Sequence, residues 1–215
     1  MLKFDLARNA LRYIVKRDGI KEIYIPYYLC DVIRHTLFEE NCKTLFYHID
    51  DNFMPDKEFP RDSYILYPNY FGICSNNVEK LINLYPHLIV DNAHAFYAQP
   101  SGYASFNSSR KFLPENEGAF LWFREGINPA KPNLKRQEEF FRLHKEFKEH
   151  NLLKIDIKQN DIPFCYPLLA NTQEEADNIA KNLQKEGKII YRYWNNLPKS
   201  FNEYKFYSRL VPIPL

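Results

Sequence analysis

The chain has 215 residues, of which 45% are apolar and 26% are charged, and its formal net charge is +2. A chain of this length buries roughly 70% of its unfolded surface, so the composition excludes a disordered protein and a disulfide-stapled miniprotein. A net charge of +2 is too small for nucleic-acid binding by charge alone, since phosphate neutralisation needs a concentrated basic face. No two of the four cysteines are closer than twelve residues, so we expect no metal site and a reducing, cytoplasmic setting.

The first half of the chain alternates helical and extended patterns. Apolar residues at helical spacing predict a helix over residues 4–18, which Gly19 ends, and two further helices, one beginning at Asp31 and one over 76–85. Short apolar runs predict strands at 22–25, 43–49, 63–67, 88–90, 102–106 and 119–123. Strands that alternate with helices and are apolar on both faces are typical of a mostly parallel sheet covered by helices, so we expect an α/β fold.

The second half begins after a proline-containing linker at 128–133, and the sequence predicts two domains. The larger α/β domain spans 1–127, and a smaller α+β domain spans 134–215. The smaller domain contains predicted helices at 134–150 and 172–186, apolar segments at 164–169 and 188–193, and a proline-dotted tail. The first residues carry charges every few positions and do not predict a signal peptide. No apolar run is long enough for a transmembrane helix, so we expect no membrane association.

Ligands of open parallel sheets bind at the carboxyl ends of the strands, and two residues there carry chemistry. Asp91 ends an apolar run, so its carboxylate would be partly buried and would need a partner. It is either a helix cap or a ligand contact. Lys111 follows two serines and Arg110. It is either a solvated surface lysine or a nucleophilic amine whose pKa is lowered by its neighbours.

The segments that carry these residues resemble the DegT-type sugar aminotransferases, which are pyridoxal-phosphate (PLP) enzymes of fold type I. The resemblance lies in an Asp at a strand end, an alcohol-rich stretch leading to a Lys, and a Glu-Gly pair, found in IVDNAHAF at 89–96, GYASFNSSRKF at 102–112 and EGAFL at 117–121. Further similar segments are ARNAL at 7–11, PYYLC at 26–30, FCYPLL at 164–169 and YWNNLP at 193–198. The resemblance runs discontinuously over most of the chain.

The resemblance implies a role for three residues close to the cofactor ring. Lys111 would be the catalytic residue, since it would bond covalently to PLP and then move the proton at the substrate carbon. Asp91 would pair with the ring nitrogen and keep it protonated, which makes the ring an electron sink. His94 would lie near the ring, at a position where the family usually has Gln or His.

The resemblance also implies a phosphate-binding corner. The first helix would direct its N-terminal amides at the phosphate, with Arg8 and Asn9 nearby. Ser105 or Ser108 would supply a hydroxyl group. The position that often carries a ring-stacking aromatic is Cys30 in this chain, and the neighbouring tyrosines at 27 and 28 are the alternatives.

The implied activity is transfer of an amino group, usually from glutamate, to a nucleotide-linked keto-sugar in the synthesis of surface polysaccharides or related sugars. The family implies a homodimer. Because the chain is shorter than the family's members, a non-catalytic protein of the same fold, acting as a scaffold or partner subunit, is the alternative. A third hypothesis is a phosphoacceptor site in which Asp50 and Asp51 bind Mg²⁺ near Asp91 and Lys111.

Overall fold

The computed structural model describes residues 1–113, 118–124 and 126–215. Seven strands form one sheet with the order β1-β7-β6-β5-β4-β2-β3. The strands are β1 Leu2–Phe4, β2 Glu22–Pro26, β3 Lys43–Tyr47, β4 Ile65–Pro68, β5 Leu88–Asn92, β6 Ala104–Asn107 and β7 Ala119–Phe123. Strands β2 to β6 run parallel to one another, and β7 is antiparallel to both of its neighbours. The mostly parallel sheet confirms the α/β class.

Helices cover both faces of this sheet. Helices α1 (Ala7–Asp18) and α2 (Asp31–Glu39) pack on one face, and α3 (Ser75–Leu84) packs on the other. The apolar side of α1 is fully buried against the sheet because its apolar residues recur at helical spacing. Gly19 ends α1 as predicted, in the left-handed conformation (φ 61°) that glycine adopts without steric cost.

The C-terminal third packs on the same face of the sheet as α3. It contains α4 Leu134–Phe147, β8 Cys165–Leu169, α5 Gln173–Lys185, α6 Tyr204–Ser208 and β9 Leu210–Pro214, and β8 and β9 form a two-stranded antiparallel sheet. One hydrophobic cluster joins Tyr67 and Val90 of the large sheet to Phe140, Tyr166 and Phe206 of this third. In sequence, the large sheet precedes the 128–133 linker and the small sheet follows it. The division into two domains stays a prediction.

Two predicted boundaries are wrong. Residues 4–18 are not one helix, because Leu2–Phe4 pairs with β7 as an edge strand and α1 begins only at Ala7. The proline-dotted tail contains a regular strand, β9, because its two prolines lie in an edge strand where a missing N–H is tolerated. Residues 188–198 form no regular secondary structure. Within the described ranges, no helix is long and apolar enough to cross a membrane.

Candidate functional site

A cleft with a cavity volume of about 100 Å³ lies at the carboxyl ends of β4, β5 and β6. The N-terminal ends of α1 and α2 both line it, and the chain after β5 and β6 contributes Asp91, His94 and Lys111. The structure therefore brings together the three residues that the sequence predicted to lie nearest a cofactor ring.

Asp91 lies at the end of β5 and is 8% exposed. Its Oδ1 accepts a hydrogen bond from the backbone N–H of Ala93 at 2.8 Å, which is a turn contact and not the cap of an α-helix. Burial raises the pKa of the Asp91 carboxyl, and the positive charge of Lys111 and the Ala93 hydrogen bond oppose that rise. A cation bound beside Asp91 would therefore favour the ionised carboxylate.

Lys111 ends a short 3-10 turn, Ser109–Lys111, that follows β6. Its side chain lines the cleft and its Nζ lies 5.9 Å from the ring centre of Phe164. Burial lowers the pKa of Lys111, and the negative charge of Asp91 opposes that change. A lowered pKa increases the fraction of neutral amine, which is the nucleophilic form. Lys111 is not a solvated surface lysine.

His94 is 4% exposed and sits among aromatic rings at the edge of the cleft. Its imidazole is nearly parallel to Phe164, with ring centres 4.6 Å apart, and to Trp194, with ring centres 5.5 Å apart. Its Nε2 is buried and makes no hydrogen bond within the described part of the chain. Burial, with the charge of Lys111, holds the pKa of His94 well below its usual range, so the ring is neutral near pH 7.

The N-terminus of α1 forms the corner of the cleft that is suited to an anion. Leu6 is the N-cap residue and has no side-chain cap, and the first turn of the helix contains no acidic residue. Free amide groups and the helix dipole attract negative charge at such an end. Arg8 and Ser108 line the same cleft, and in the described chain Arg8 forms no ion pair. Arg110 also lines the cleft, next to Lys111.

Two predicted site residues do not line the cleft. The Asn9 side chain is turned away from it, because Asn9 donates to Asp5 at 2.6 Å and accepts from Arg12 at 2.6 Å. Ser105 lies on β6, where successive side chains point to opposite faces. Because its neighbour Phe106 lines the cleft, Ser105 faces away, and its Oγ accepts from the backbone of Ser101 at 3.4 Å.

The structure also shows which candidates for a ring-stacking residue line the cleft. Cys30 lines the cleft, as its position in the sequence predicted. Tyr28 is fully buried and packs against Tyr70, and Tyr27 packs against Phe46, so neither tyrosine lines the cleft. Trp194, from the C-terminal third, also lines the cleft, and the sequence did not single it out as a cleft residue. Glu117 of the predicted Glu-Gly pair lies outside the described residues.

The magnesium hypothesis gains no support from the acidic pair. Asp50 accepts hydrogen bonds from the backbone of Asn52 and Met54, and Asp51 pairs with Lys205. Among the residues that the structure describes, no group of three or more His, Cys, Asp or Glu side chains could hold a metal ion.

The fold is thus a mostly parallel α/β sheet with Asp91 and Lys111 at one cleft by its strand ends. No protein-family model and no curated protein matches the sequence. Solved structures do match it in fold. The sugar aminotransferase Spr1654 of Streptococcus pneumoniae, in its PMP form, is 13% identical with a TM-score of 0.73, and the match covers 100% of this chain and 80% of that one.

Two further structures agree with this match. PseC of Helicobacter pylori, an aminotransferase involved in the biosynthesis of pseudoaminic acid, is 17% identical with a TM-score of 0.69, covering 99% of this chain and 80% of its own. A DegT DnrJ EryC1 StrS aminotransferase of Brucella abortus is 13% identical with a TM-score of 0.71, and the match covers 97% of this chain and 79% of that one. The chain therefore has the fold of the DegT-type sugar aminotransferases, which confirms the resemblance at the level of fold.

Proposed function

We propose that this chain binds PLP in the cleft through Lys111 and transfers an amino group from glutamate to a nucleotide-linked keto-sugar. The observation that carries the proposal is that Asp91 and Lys111 line one cleft, where the charge of each affects the pKa of the other, beside the N-terminus of α1. In the proposal the protein works in the cytoplasm as a homodimer.

The residues of the cleft fit the chemical groups of PLP. The amides at the start of α1, with Arg8 and Ser108, match a phosphate dianion. The buried Asp91 matches a protonated ring nitrogen, because a positive charge offsets the cost of burying its carboxylate. The buried Nε2 of His94 has no partner among the described groups and matches a polar substituent of the ring.

Each of these residues would have a distinct task. PLP, when bound, supplies an electron sink for the pair of electrons released at the substrate carbon. Asp91 would hold the ring nitrogen in its protonated state. Lys111, with its lowered pKa, would attach the cofactor as a neutral amine and, once released by the incoming donor, would move the proton at the substrate carbon. Trp194 and Phe164 would keep water away from His94.

The substrate class in the proposal is supported by the structural neighbours and by the open side of the cleft. Spr1654 carries the name of a sugar aminotransferase, PseC is an aminotransferase involved in the biosynthesis of pseudoaminic acid, and both share the fold. Arg110 is exposed at the cleft and forms no ion pair in the described chain, so it can meet an anionic substrate group.

The test is an absorbance spectrum of the purified protein with PLP. The expected result is a visible band that glutamate bleaches and 2-oxoglutarate restores, because the two acids drive the donor half-reaction in opposite directions. Lys111→Ala and Lys111→Arg are expected to lose the band entirely, and Lys80→Ala, which removes an exposed lysine of α3, is expected to keep it.

Two outcomes would contradict the proposal at different points. A protein without a visible band at saturating PLP would favour the scaffold hypothesis, in which the fold persists without the chemistry. A band that depends on Lys111 but does not respond to amino donors would retain cofactor binding and remove the transamination.

A further inference from the structure

The surroundings of His94 come from parts of the chain that are far apart in sequence. Phe164 directly precedes β8, and Trp194 lies in the 188–198 segment, which has no regular secondary structure. Both rings are nearly parallel to the imidazole, with interplanar angles of 16° and 8°. Tyr193 meets the same ring edge-on at 5.3 Å. Phe71, which follows β4, also packs against the ring at 5.7 Å, but three of the four aromatic rings around His94 in the described chain come from the C-terminal third.

Trp194 is held in an unfavourable backbone conformation. Its φ is 57°, in the left-handed region that a bulky side chain rarely adopts. Such strain persists only where surrounding contacts fix it, and it concentrates at functional sites. The contacts here are the edge-on packing of the indole against Tyr28 at 4.5 Å and, in the same segment, the hydrogen bond from Asn196 to Asp31.

The segment is anchored on both sides of Trp194. Arg192 donates to Asp177 of α5 at 2.6 Å and to the backbone carbonyl of Ser208 at 2.9 Å. Asn196 reaches the first turn of α2, whose N-terminus lines the cleft. These anchors carry the indole to the cleft wall and leave it little freedom to rotate away.

We propose that Phe164 and Trp194 form an aromatic clamp that positions the His94 imidazole, so that its unpartnered Nε2 is presented to the ligand of the cleft as a fixed hydrogen-bonding group. Phe164 and Trp194 are positioning residues, because they act through His94. The identity of that ligand rests on the proposed function, but the clamp is a property of the cofactor-free protein. It extends the site into the C-terminal third, because cleft geometry then depends on the 188–198 segment.

The clamp is tested by following the histidine resonances of the cofactor-free protein by NMR between pH 4.5 and 8. His94→Gln identifies the His94 signal. Besides the clamp, Phe71 and Tyr193 pack against the His94 ring and the charge of Lys111 acts on it, and these groups are the same in every clamp variant. In the wild type the pKa of His94 lies well below its usual range. In Trp194→Ala we expect it to rise by about one unit or more, since water then reaches the ring.

Matched variants separate the clamp from general damage. Trp194→Phe keeps a flat apolar ring and is expected to keep the low pKa of His94. Trp122→Phe removes the other tryptophan of the chain, on β7 and outside the cleft lining, and is expected to change nothing at His94. If Trp194→Ala fails to fold, Phe164→Leu removes the other parallel ring that packs against the His94 imidazole. The same rise in the pKa of His94 is then the readout.

A second readout links the clamp to the ligand. In a PLP titration followed by absorbance, Trp194→Ala is expected to bind about two- to tenfold more weakly, since one aromatic contact contributes on that scale. A His94 pKa that is the same in Trp194→Ala or Phe164→Leu as in the wild type would overturn the clamp. A raised pKa in a protein that binds no PLP would keep the clamp and overturn the proposed function.

Discussion

Two buried regions of this molecule differ in how their polar groups are satisfied. Glu203 is fully buried where the C-terminal third meets β3, and its Oε1 accepts from the backbone of Ile49 at 2.9 Å and faces His48 Nδ1 at 2.9 Å. In the cleft, Asp91 accepts one described hydrogen bond, and His94 Nε2 has no described partner. The carboxylate of Glu203 is satisfied within the chain, and in the proposed function the polar groups of the cleft meet a ligand.

The difference has an energetic meaning. A buried polar group without a partner costs about 1–3 kcal/mol, so a protein that keeps several of them loses stability unless a ligand supplies the missing contacts. Removing Glu203 should therefore damage the fold, and removing Asp91 should damage ligand binding.

Glu203→Ala is expected to lower the free energy of unfolding by about 2–4 kcal/mol, because the buried N–H of Ile49 and the ring of His48 lose their acceptor together. Chemical denaturation followed by circular dichroism measures this. Glu203→Gln keeps an oxygen for the Ile49 N–H and should lose less than half as much. The contrast fails if the folded Glu203→Ala protein loses PLP affinity while its stability is unchanged.

Asp91→Asn is expected to behave in the opposite way. The amide removes a buried charge that has one described hydrogen bond, so stability should stay within about 0.5 kcal/mol of the wild type or rise. PLP affinity should fall at least roughly tenfold, about 1.4 kcal/mol, since the ring nitrogen loses its anionic partner. Chemical denaturation measures the stability of Asp91→Asn, and an absorbance titration of the same sample measures its PLP affinity. A destabilised protein with unchanged affinity would assign Asp91 to the fold.

The pH dependence of stability gives the smallest effect. Because the pKa of His94 is lowered in the folded state, the unfolded chain binds a proton first as the pH falls below about 6.5. Stability should therefore fall with acidification in this window, by up to about 1.4 kcal/mol per pH unit for one proton. His94→Gln should remove that part of the slope, and His35→Gln, at an exposed position of α2, should not. Equal slopes in both variants would contradict a buried neutral His94.

Most of the fold was predictable because its elements carry strong periodic patterns. The apolar spacing of α1 and the apolar run of β5 predicted those elements, and Gly19 marked the end of the helix. The strand Leu2–Phe4 was missed because three residues at a sheet edge carry too little pattern. Strand β9 was missed because prolines usually argue against a strand, and pairing with β8 is a long-range contact.

The site was predictable where its residues follow one another along the chain. Asp91, His94 and Lys111 all lie within 21 residues, at strand ends that the pattern located. Asn9 does not line the cleft, because its partners Asp5 and Arg12 hold its side chain elsewhere. Trp194 was missed as a cleft residue because it approaches from about 100 residues away in sequence, in a segment without periodic pattern.

Covalent binding of PLP by Lys111 in the cleft is tested most directly by trapping the bond between them. The protein is incubated with one equivalent of PLP, reduced with borohydride, digested and mapped by mass spectrometry. The expected result is one phosphopyridoxyl group per chain on Lys111, and its loss in Lys111→Arg with no gain elsewhere. Labelling spread over exposed lysines such as Lys80, or equal labelling of the wild type and Lys111→Arg, would contradict the assignment of this cleft as a PLP site.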